Sequence, residues 1–173
     1  RIDIILINLN LIKKSFSIEW YSILKTKVIK LPYHLLEKNI DLILAPAMGG
    51  IIIGYEIGRL LKKETIFCER VDGKFTLRRG FKIKKGTKIL IIEDVITTGK
   101  SSLECAKLIK KANAKLLGFA AIIDRSTRKS LKIKKKIVSQ LKINIPTFNS
   151  KKLPIKLKKI PISKPGSRFI KWK

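Results

Sequence analysis

From residue 40 onward, short apolar segments alternate with amphipathic ones, and this alternation limits the possible folds more than any other feature of the chain. The sequence predicts strands at 41–45, 65–69, 88–92 and 115–123, and helices at 51–62 and 101–113. Strands that alternate with helices form βαβ units, whose successive strands pair in parallel. We therefore predict an α/β fold with a central, mainly parallel sheet flanked by helices.

The remaining segments predict shorter elements. Before residue 40 we expect a short strand near 4–11 and a helix around 18–31. After residue 132, recurrent prolines favour short strands and a loop-like tail. The basic, glycine-containing segment 70–85 is expected to form a mobile β-hairpin. Because 173 residues suffice for one domain with a substantial core but not for two large ones, we treat 1–173 as a single domain.

The chain is strongly basic. Lys and Arg number 40 against 12 Asp and Glu, which gives a net charge of +28. Such a charge is typical of nucleic-acid binding, but the lysines are scattered over the whole chain, so we interpret them as a solvated surface and expect no specific nucleic-acid partner. The longest uncharged run, Leu42 to Tyr55, has 14 residues. A membrane-spanning helix needs about 20, so no membrane segment is expected.

The two cysteines, Cys68 and Cys105, fall inside a predicted strand and a predicted helix. We expect them to be small buried residues in a reducing compartment rather than a disulfide or a metal site. The only histidine, His34, has no cysteine or acidic cluster near it and is assigned no catalytic role. These features favour a cytoplasmic location.

The segment 89–102 carries the clearest chemical pattern. Four apolar residues run into Glu93 and Asp94, a Thr-Thr-Gly turn follows at 97–99, and a helix is predicted from Ser101. Backbone N–H groups and the dipole at the start of a helix favour a bound phosphate. The neighbouring carboxylates can accept hydrogen bonds from a sugar diol or hold a hydrated Mg²⁺. The pattern therefore predicts a site for a phosphorylated ribose.

A nucleoside-triphosphate P-loop has a similar ending, Gly-Lys-Ser, which occurs here at 99–101. That motif also requires a glycine five residues before Gly99. The residue at that position is Asp94. Because a carboxylate there would repel the β-phosphate, we exclude the P-loop.

The same segment resembles the phosphoribosyl-pyrophosphate (PRPP) motif of the type I phosphoribosyltransferases, in the Val-Ile-Thr-Thr-Gly wording of the orotate phosphoribosyltransferases. Further segments resemble the orotate enzymes in the same order along the chain, at 45–50, 69–74, 77–81, 123–125 and 164–168. One such segment alone would be weak support. The ordered set, over roughly residues 40 to 168, is similar to the family as a whole.

The resemblance implies a type I phosphoribosyltransferase fold with a small hood region. It implies transfer of ribose 5-phosphate from PRPP to orotate, which yields orotidine 5′-monophosphate and pyrophosphate in pyrimidine (UMP) biosynthesis. It also implies Mg²⁺ as the cofactor and a homodimer as the active form. Segment 70–85 would then be the mobile loop that closes over pyrophosphate.

The resemblance further implies roles for individual residues. It assigns catalysis to Arg70, Lys74 and Asp94. The PRPP-binding set comprises Met48, Gly49, Arg70, Lys74, Arg78, Glu93, Asp94, Val95, Ile96, Thr97, Thr98, Gly99, Lys100 and Ser101. Orotate would contact Thr97 and Arg125. No residue is expected to bind the metal directly, and Mg²⁺ would bind through PRPP and water beside the two acids.

The chain departs from the family pattern in places, and alternatives stay open. Met48 and Gly49 stand where many relatives carry Tyr-Lys, and the family's N-terminal Ser-Gly-x-His-Ser segment is missing, so we expect a truncated hood with 1–10 as its remnant. A structural ion pair with Asp124 is the alternative role for Arg125. The alternative functions are a phosphoribosyltransferase for another nucleobase, a PRPP-sensing regulator that binds RNA, and an inactive relative.

Overall fold

The structure is a computed structural model, and it describes residues 3–5, 39–127, 130–135, 137–144, 147–149 and 153–158. The helix expected around 18–31, most of the strand near 4–11, His34 and the segment 164–168 lie outside these residues. The described elements are β1 (Asp3–Ile5), β2 (Leu42–Pro46), α1 (Gly49–Leu61), β3 (Glu64–Val71), β4 (Lys74–Leu77), β5 (Lys88–Ile96), α2 (Lys100–Lys111), β6 (Lys115–Asp124), β7 (Ile137–Lys142), β8 (Thr147–Asn149) and α3 (Ile155–Lys158).

The predicted elements of the alternating region are confirmed to within a few residues, with one consequential difference. β5 runs to Ile96 instead of ending at Ile92, so Glu93 and Asp94 lie inside the strand and not beyond its end. After residue 132, β7 and β8 are the short strands that were expected. The short helix α3 was not predicted.

Six strands form one sheet in the order β4-β3-β2-β5-β6-β7. The pairs β2–β3, β2–β5, β5–β6 and β6–β7 are parallel, whereas β4 runs antiparallel to β3. β1 and β8 pair in a separate two-stranded antiparallel sheet. The mainly parallel α/β sheet is thus confirmed, with β5 between two parallel neighbours.

The two faces of the sheet bury different residues of β5. Ile89 and Ile91 pack on the face that carries α2, whereas Leu90 and Ile92 pack on the face that carries α1. Successive side chains of a strand point to opposite faces, so a strand that is covered on both faces needs an apolar residue at every position. This explains the unbroken apolar run before the acids. Each such buried side chain contributes roughly 1.5–3 kcal/mol.

Helix α1 lies close to the sheet because two of its residues are glycines. A Cβ at Gly54 would lie 2.8 Å from the Cβ of Ala45, and a Cβ at Gly58 would lie 2.0 Å from Oγ1 of Thr65. The Thr65 hydroxyl also donates a hydrogen bond of 3.2 Å to the carbonyl of Gly54. This close packing fixes the start of α1, at Gly49, beside the carboxyl end of β2.

The segment 70–85 contains the predicted hairpin. β3 and β4 pair antiparallel, and the residues between them, Asp72 and Gly73, have φ values of 49° and 77°. Two central residues with positive φ define the tight turn that Asp-Gly favours in hairpins. The hairpin is therefore confirmed, and its mobility stays a prediction.

Cys68 and Cys105 are free and fully buried, as predicted. Their Sγ atoms lie 3.1 Å apart, and the hydrogen bond to Cys68 together with burial raises the pKa of the Cys105 thiol far above its usual range. In the part of the chain that the structure describes, no helix is long and apolar enough to cross a membrane.

Candidate functional site

The segments that carry the candidate residues meet at one edge of the sheet. The chain leaves the carboxyl ends of the parallel strands β2, β5 and β6 at this edge, and β3 continues from it into the hairpin. Ligands of open α/β sheets bind outside the carboxyl ends of the strands. The strand order thus brings four separate stretches of sequence to one candidate site.

Asp94 lies on the face of β5 that carries α1. A Cβ built at Gly49 would lie 2.0 Å from Oδ2 of Asp94, so the carboxylate fills a space that only a glycine leaves open. The Oδ1 atom accepts a hydrogen bond of 2.8 Å from the Val95 N–H. Because the start of a helix carries partial positive charge, the first turn of α1 stabilises this carboxylate.

Glu93 lies on the opposite face of β5, beneath α2, and only 6% of the residue is exposed. The Ser102 hydroxyl donates a hydrogen bond of 2.9 Å to its carboxylate. Burial raises the pKa of Glu93 to about 7. The hydrogen bond from Ser102 and the charge of Arg70 lower this pKa, whereas the charge of Asp94 raises it. The two acids are adjacent in sequence but occupy different environments, because side chains alternate along the strand.

The Thr-Thr-Gly turn joins the end of β5 to the start of α2. Gly99 has a φ of 70°, which brings the chain from the strand into the helix. Oγ1 of Thr98 accepts a hydrogen bond of 3.3 Å from the Lys100 N–H. No acidic residue lies in the first turn of α2, and Lys100 is exposed there. A cation beside the positive end of a helix is unfavourable on its own, so this turn attracts an anion strongly.

A segment that sequence reasoning missed supports the turn from behind. The Lys132 N–H donates a hydrogen bond of 3.0 Å to the carbonyl of Thr98. A Cβ at Gly99 would lie 2.5 Å from Cδ1 of Ile133, which is itself buried. No local pattern marks these two residues, because their contact with the turn depends on the path of the chain after β6.

The other residues of the motif differ in accessibility. Ile96 is almost fully buried in the core, so only its backbone faces the site. Val95 is exposed, while Thr97 and Ser101 are half-buried at the turn. Ile96 therefore serves packing through its side chain, and a ligand at the turn meets the backbone and the hydroxyl groups.

Arg125 follows β6 directly. Its N–H donates a hydrogen bond of 2.9 Å to the carbonyl of Ile96, which holds it beside the end of β5. Its Nε is buried without a hydrogen-bond partner among the described residues, and burial lowers the pKa of the guanidinium. Asp124 instead accepts a hydrogen bond of 2.8 Å from the Ser126 N–H and lies 3.5 Å from Nζ of Lys142. The alternative of an Asp124–Arg125 ion pair is therefore wrong.

Arg70, at the end of β3, points towards α2. Its Nη2 lies 2.6 Å from Oε2 of Glu104, and its guanidinium carbon lies 4.2 Å from the centre of the Phe75 ring. The charge of Arg70 also acts on Glu93, whose pKa it lowers. Sequence reasoning missed Glu104, although an acid so close to the Thr-Thr-Gly turn was a usable signal in a chain with only 12 acidic residues.

The other basic residues of the hairpin are not directed at the acids of β5. Nε of Arg79 lies 2.5 Å from Oε1 of Glu69, and Nη1 of Arg78 lies 3.8 Å from the other oxygen of the same carboxylate. Lys74 is exposed at the hairpin turn. Met48 is 83% exposed in the loop before α1. Of the predicted cations of the hairpin, Arg70 is the one whose charge acts on Glu93.

Within the described ranges, no group of three or more His, Cys, Asp or Glu side chains could hold a metal ion. Mg²⁺ usually keeps several waters and binds through one or two carboxylates together with substrate phosphates. Asp94, half-buried at the strand end, is a carboxylate that suits this kind of site.

Comparisons with known proteins agree with this geometry. The family model for the phosphoribosyl transferase domain matches residues 19–154. The chain is 44% identical over 139 residues to the orotate phosphoribosyltransferase of Erythrobacter litoralis, a match that covers 80% of this chain and 71% of that protein. It is 47% identical over 131 residues to the orotate phosphoribosyltransferase of Parvibaculum lavamentivorans, covering 76% of this chain and 67% of that protein.

A solved structure supports the fold independently. The adenine phosphoribosyltransferase of Thermoanaerobacter pseudethanolicus matches with a TM-score of 0.61 and covers 69% of this chain and 79% of that chain. Only 18% of the matched residues are identical. At this level of identity the likeness concerns the fold alone.

Proposed function

Because the chain belongs to the phosphoribosyl transferase domain family, and within it to the orotate phosphoribosyltransferases, we propose that it transfers ribose 5-phosphate from PRPP to orotate. The products are orotidine 5′-monophosphate and pyrophosphate, on the route to UMP. One observation carries the proposal: α1 and α2 both begin at the same edge of the sheet, and Asp94 lies at this edge beside the start of α1. PRPP has matching parts, with a phosphate at one end, a pyrophosphate at the other and a ribose between.

The turn before α2 suits the 5-phosphate of PRPP. The first backbone N–H groups of a helix have no partner within the helix and point at an anion. Thr97, Thr98 and Ser101 add hydroxyl groups at the same place, and Lys100 adds a positive charge. Val95, Ile96 and Gly99 contribute through their backbone.

The loop before α1 suits the pyrophosphate. Met48 and Gly49 lie there, and the close packing at Gly49 leaves little side chain between the backbone and a ligand. Arg70, Lys74 and Arg78 of the hairpin supply positive charge around the leaving group. Of these, Arg70 is positioned by its contacts in the structure, and the other two would approach when the hairpin moves.

The ribose lies between these ends, beside the acids. Asp94 accepts hydrogen bonds from the ribose hydroxyls at the strand end, and Glu93 supports the same region from the buried face of β5. Mg²⁺ would bind through pyrophosphate and water beside the two acids, where it would neutralise negative charge on the leaving group. The need for this ion is part of the proposal.

Orotate suits the far side of the turn. Its carboxylate is a natural partner for the half-buried Arg125 guanidinium, because planar guanidinium groups bind carboxylates through paired hydrogen bonds. The unpartnered Nε supports this assignment. Thr97, half-buried beside Arg125 at the end of β5, would contact the base.

The reaction exchanges one bond at C1 of the ribose for another. The pyrophosphate oxygen leaves with the electrons of the C–O bond, and the ring nitrogen of orotate supplies the electron pair of the new C–N bond. Positive charge grows on the ribose in the transition state, next to Asp94, while Arg70 and Lys74 stabilise the departing pyrophosphate. The protein acts by positioning and electrostatics, and no covalent nucleophile is needed.

The proposal extends to assembly and location. We propose a homodimer in the cytoplasm, with the tip of the hairpin reaching the site of the second copy. Lys74 sits at the exposed tip and forms no ion pair within the described part of the chain, so it is available for such a reach. Sedimentation at several protein concentrations would test the dimer.

The substrate is tested by incubating the protein with PRPP and Mg²⁺ together with orotate, adenine, hypoxanthine or uracil, each in a separate reaction. We expect pyrophosphate release with orotate alone. Turnover of a purine without turnover of orotate would reject the substrate assignment. Binding of PRPP without any turnover would indicate an inactive relative, and salt-resistant RNA binding without turnover would indicate a regulator.

A further inference from the structure

Glu104 is a carboxylate near the site that the proposed reaction does not use directly. It lies on α2, one helical turn after Lys100. Its Oε2 is buried and lies 2.6 Å from Nη2 of Arg70, and the two side chains are 23% and 35% exposed. Because the pair is only partly buried, the loss of one partner leaves the other charge less well compensated, at a lower cost than in a fully buried pair. The two groups therefore depend on each other.

Two further contacts define the orientation of the Arg70 guanidinium. Its Nη1 donates a hydrogen bond of 2.5 Å to the carbonyl of Gly73. Its flat face lies over the ring of Phe75, which is itself buried in the core. With Glu104 on another side, the guanidinium is held by α2, by the hairpin turn and by an aromatic ring.

Glu104 also poses an electrostatic problem that Arg70 solves. A carboxylate one turn from the phosphate-binding end of α2 would repel the phosphates of PRPP if its charge were uncompensated. A second acid, Glu93 of β5, lies under the same helix and accepts a hydrogen bond from Ser102. The positive charge of Arg70 offsets Glu104 through this contact and also lowers the pKa of Glu93.

We propose that Glu104 is the positioning residue of Arg70. It fixes the guanidinium between Phe75 and α2, in the orientation from which Arg70 meets the pyrophosphate end of PRPP. Through this pair the basic hairpin is attached to the helix that begins at the phosphate turn. The inference rests on the proposed function, since it assigns a second residue to the same PRPP site.

The test is Glu104→Gln, which keeps the shape of the side chain and removes its charge. We expect the KM for PRPP to rise by up to about fivefold, the scale of a partly exposed ion pair, with little change in the KM for orotate. Glu56→Gln is the matched control, because Glu56 forms an ion pair with Arg59 on α1. The control should leave both constants within about twofold.

A double-mutant cycle separates positioning from general structural support. If Glu104 acts through Arg70, Glu104→Gln should change the KM for PRPP less than about twofold in an Arg70→Gln background. Independent, multiplicative effects of the two substitutions would overturn the inference. So would tighter PRPP binding by Glu104→Gln, because it would mean that the carboxylate competes with pyrophosphate for the arginine.

Folding and function are controlled separately. Glu104→Asp keeps the charge on a shorter side chain and should give a smaller rise in the KM for PRPP than Glu104→Gln; an equal or larger rise would count against a charge-based role. Calorimetry with PRPP and Mg²⁺ supplies a readout that needs no turnover. If the wild type binds PRPP but does not turn over orotate, the proposed function fails, while weaker PRPP binding by Glu104→Gln still supports the inference.

Discussion

The phosphate turn at 97–99 and the basic hairpin flank the same site, but different forces hold them. Backbone contacts and core elements fix the turn, through the φ of Gly99 and the hydrogen bond from Lys132 to Thr98. The arginines near the end of the hairpin are held by ion pairs with Glu69, and their side chains are 57% and 63% exposed. Exposed ion pairs contribute only about 0–1 kcal/mol. In the proposed site, the phosphate end of PRPP would therefore meet a preformed turn, whereas these arginines can exchange partners at little cost in free energy.

The sharpest test of this difference makes the same substitution in both regions. Asp94→Asn removes the carboxylate between the two helix starts and should lower kcat/KM on the order of 100-fold, the scale of lost charged hydrogen bonds. Asp72→Asn in the hairpin turn keeps a residue that tolerates positive φ and should change kcat/KM less than about twofold. Steady-state kinetics with PRPP and orotate would measure both. Full activity of Asp94→Asn would show that this carboxylate is not part of the active site.

The second test concerns space beside Asp94. Gly49→Ala places a Cβ 2.0 Å from the original position of Oδ2, so the carboxylate must move away from the start of α1. We expect kcat/KM to fall at least about tenfold, because catalytic groups displaced by about 1 Å lose much of their effect. Ile52→Ala, on an exposed face of the same helix, is the control. Equal kinetics of the two variants would show that the packing at Gly49 does not position Asp94.

The third test uses pH. The pKa of Glu93 is raised to about 7 from an ordinary value of 4.5, so between these pH values the folded state keeps a proton that the unfolded state loses. The free energy of unfolding should therefore fall as the pH rises from 4.5 to 7, by roughly 3 kcal/mol from this group. In Glu93→Gln this part of the pH dependence should vanish. Urea unfolding of both proteins at several pH values would measure it, and parallel curves would contradict the buried position of Glu93.

The smallest effect is expected in the hairpin. Glu69→Gln weakens the pairs with Arg78 and Arg79, and the free energy of unfolding should fall by less than about 1 kcal/mol. The KM for PRPP should stay equal or decrease slightly, because the two arginines become easier to redirect towards pyrophosphate. Urea unfolding and kinetics at low and high salt would measure these changes. A loss of several kcal/mol would mean that the hairpin is as firmly held as the phosphate turn.

Much of the fold was predictable because its signals are local. The apolar run before Glu93 specified a strand buried on both faces, and the Asp72-Gly73 pair specified a tight hairpin turn. The boundary of β5 was less predictable. The strand continues past Ile92 because Glu93, Val95 and Ile96 pair with β6 and Glu93 packs under α2, which no local pattern predicts.

The candidate site was predictable in its location and less so in its contacts. Motifs that follow strands of a parallel sheet must meet at one edge, so the convergence of the loops followed from their order. The partners of the side chains did not. The pairing of Arg70 with Glu104 and the contact between Gly99 and Ile133 join residues that lie far apart in sequence.

The sequence by itself determined the alternation of strands and helices, the glycines and threonines of the phosphate turn and the family to which they belong, because periodicity and turn chemistry are properties of neighbouring residues. Only the tertiary structure decided that Glu93 lies under α2 while Asp94 lies beside the start of α1, and that Nε of Arg125 has no hydrogen-bond partner in the described part of the chain. Burial and pairing depend on which helix covers each face of the sheet, and strand order and register set that arrangement.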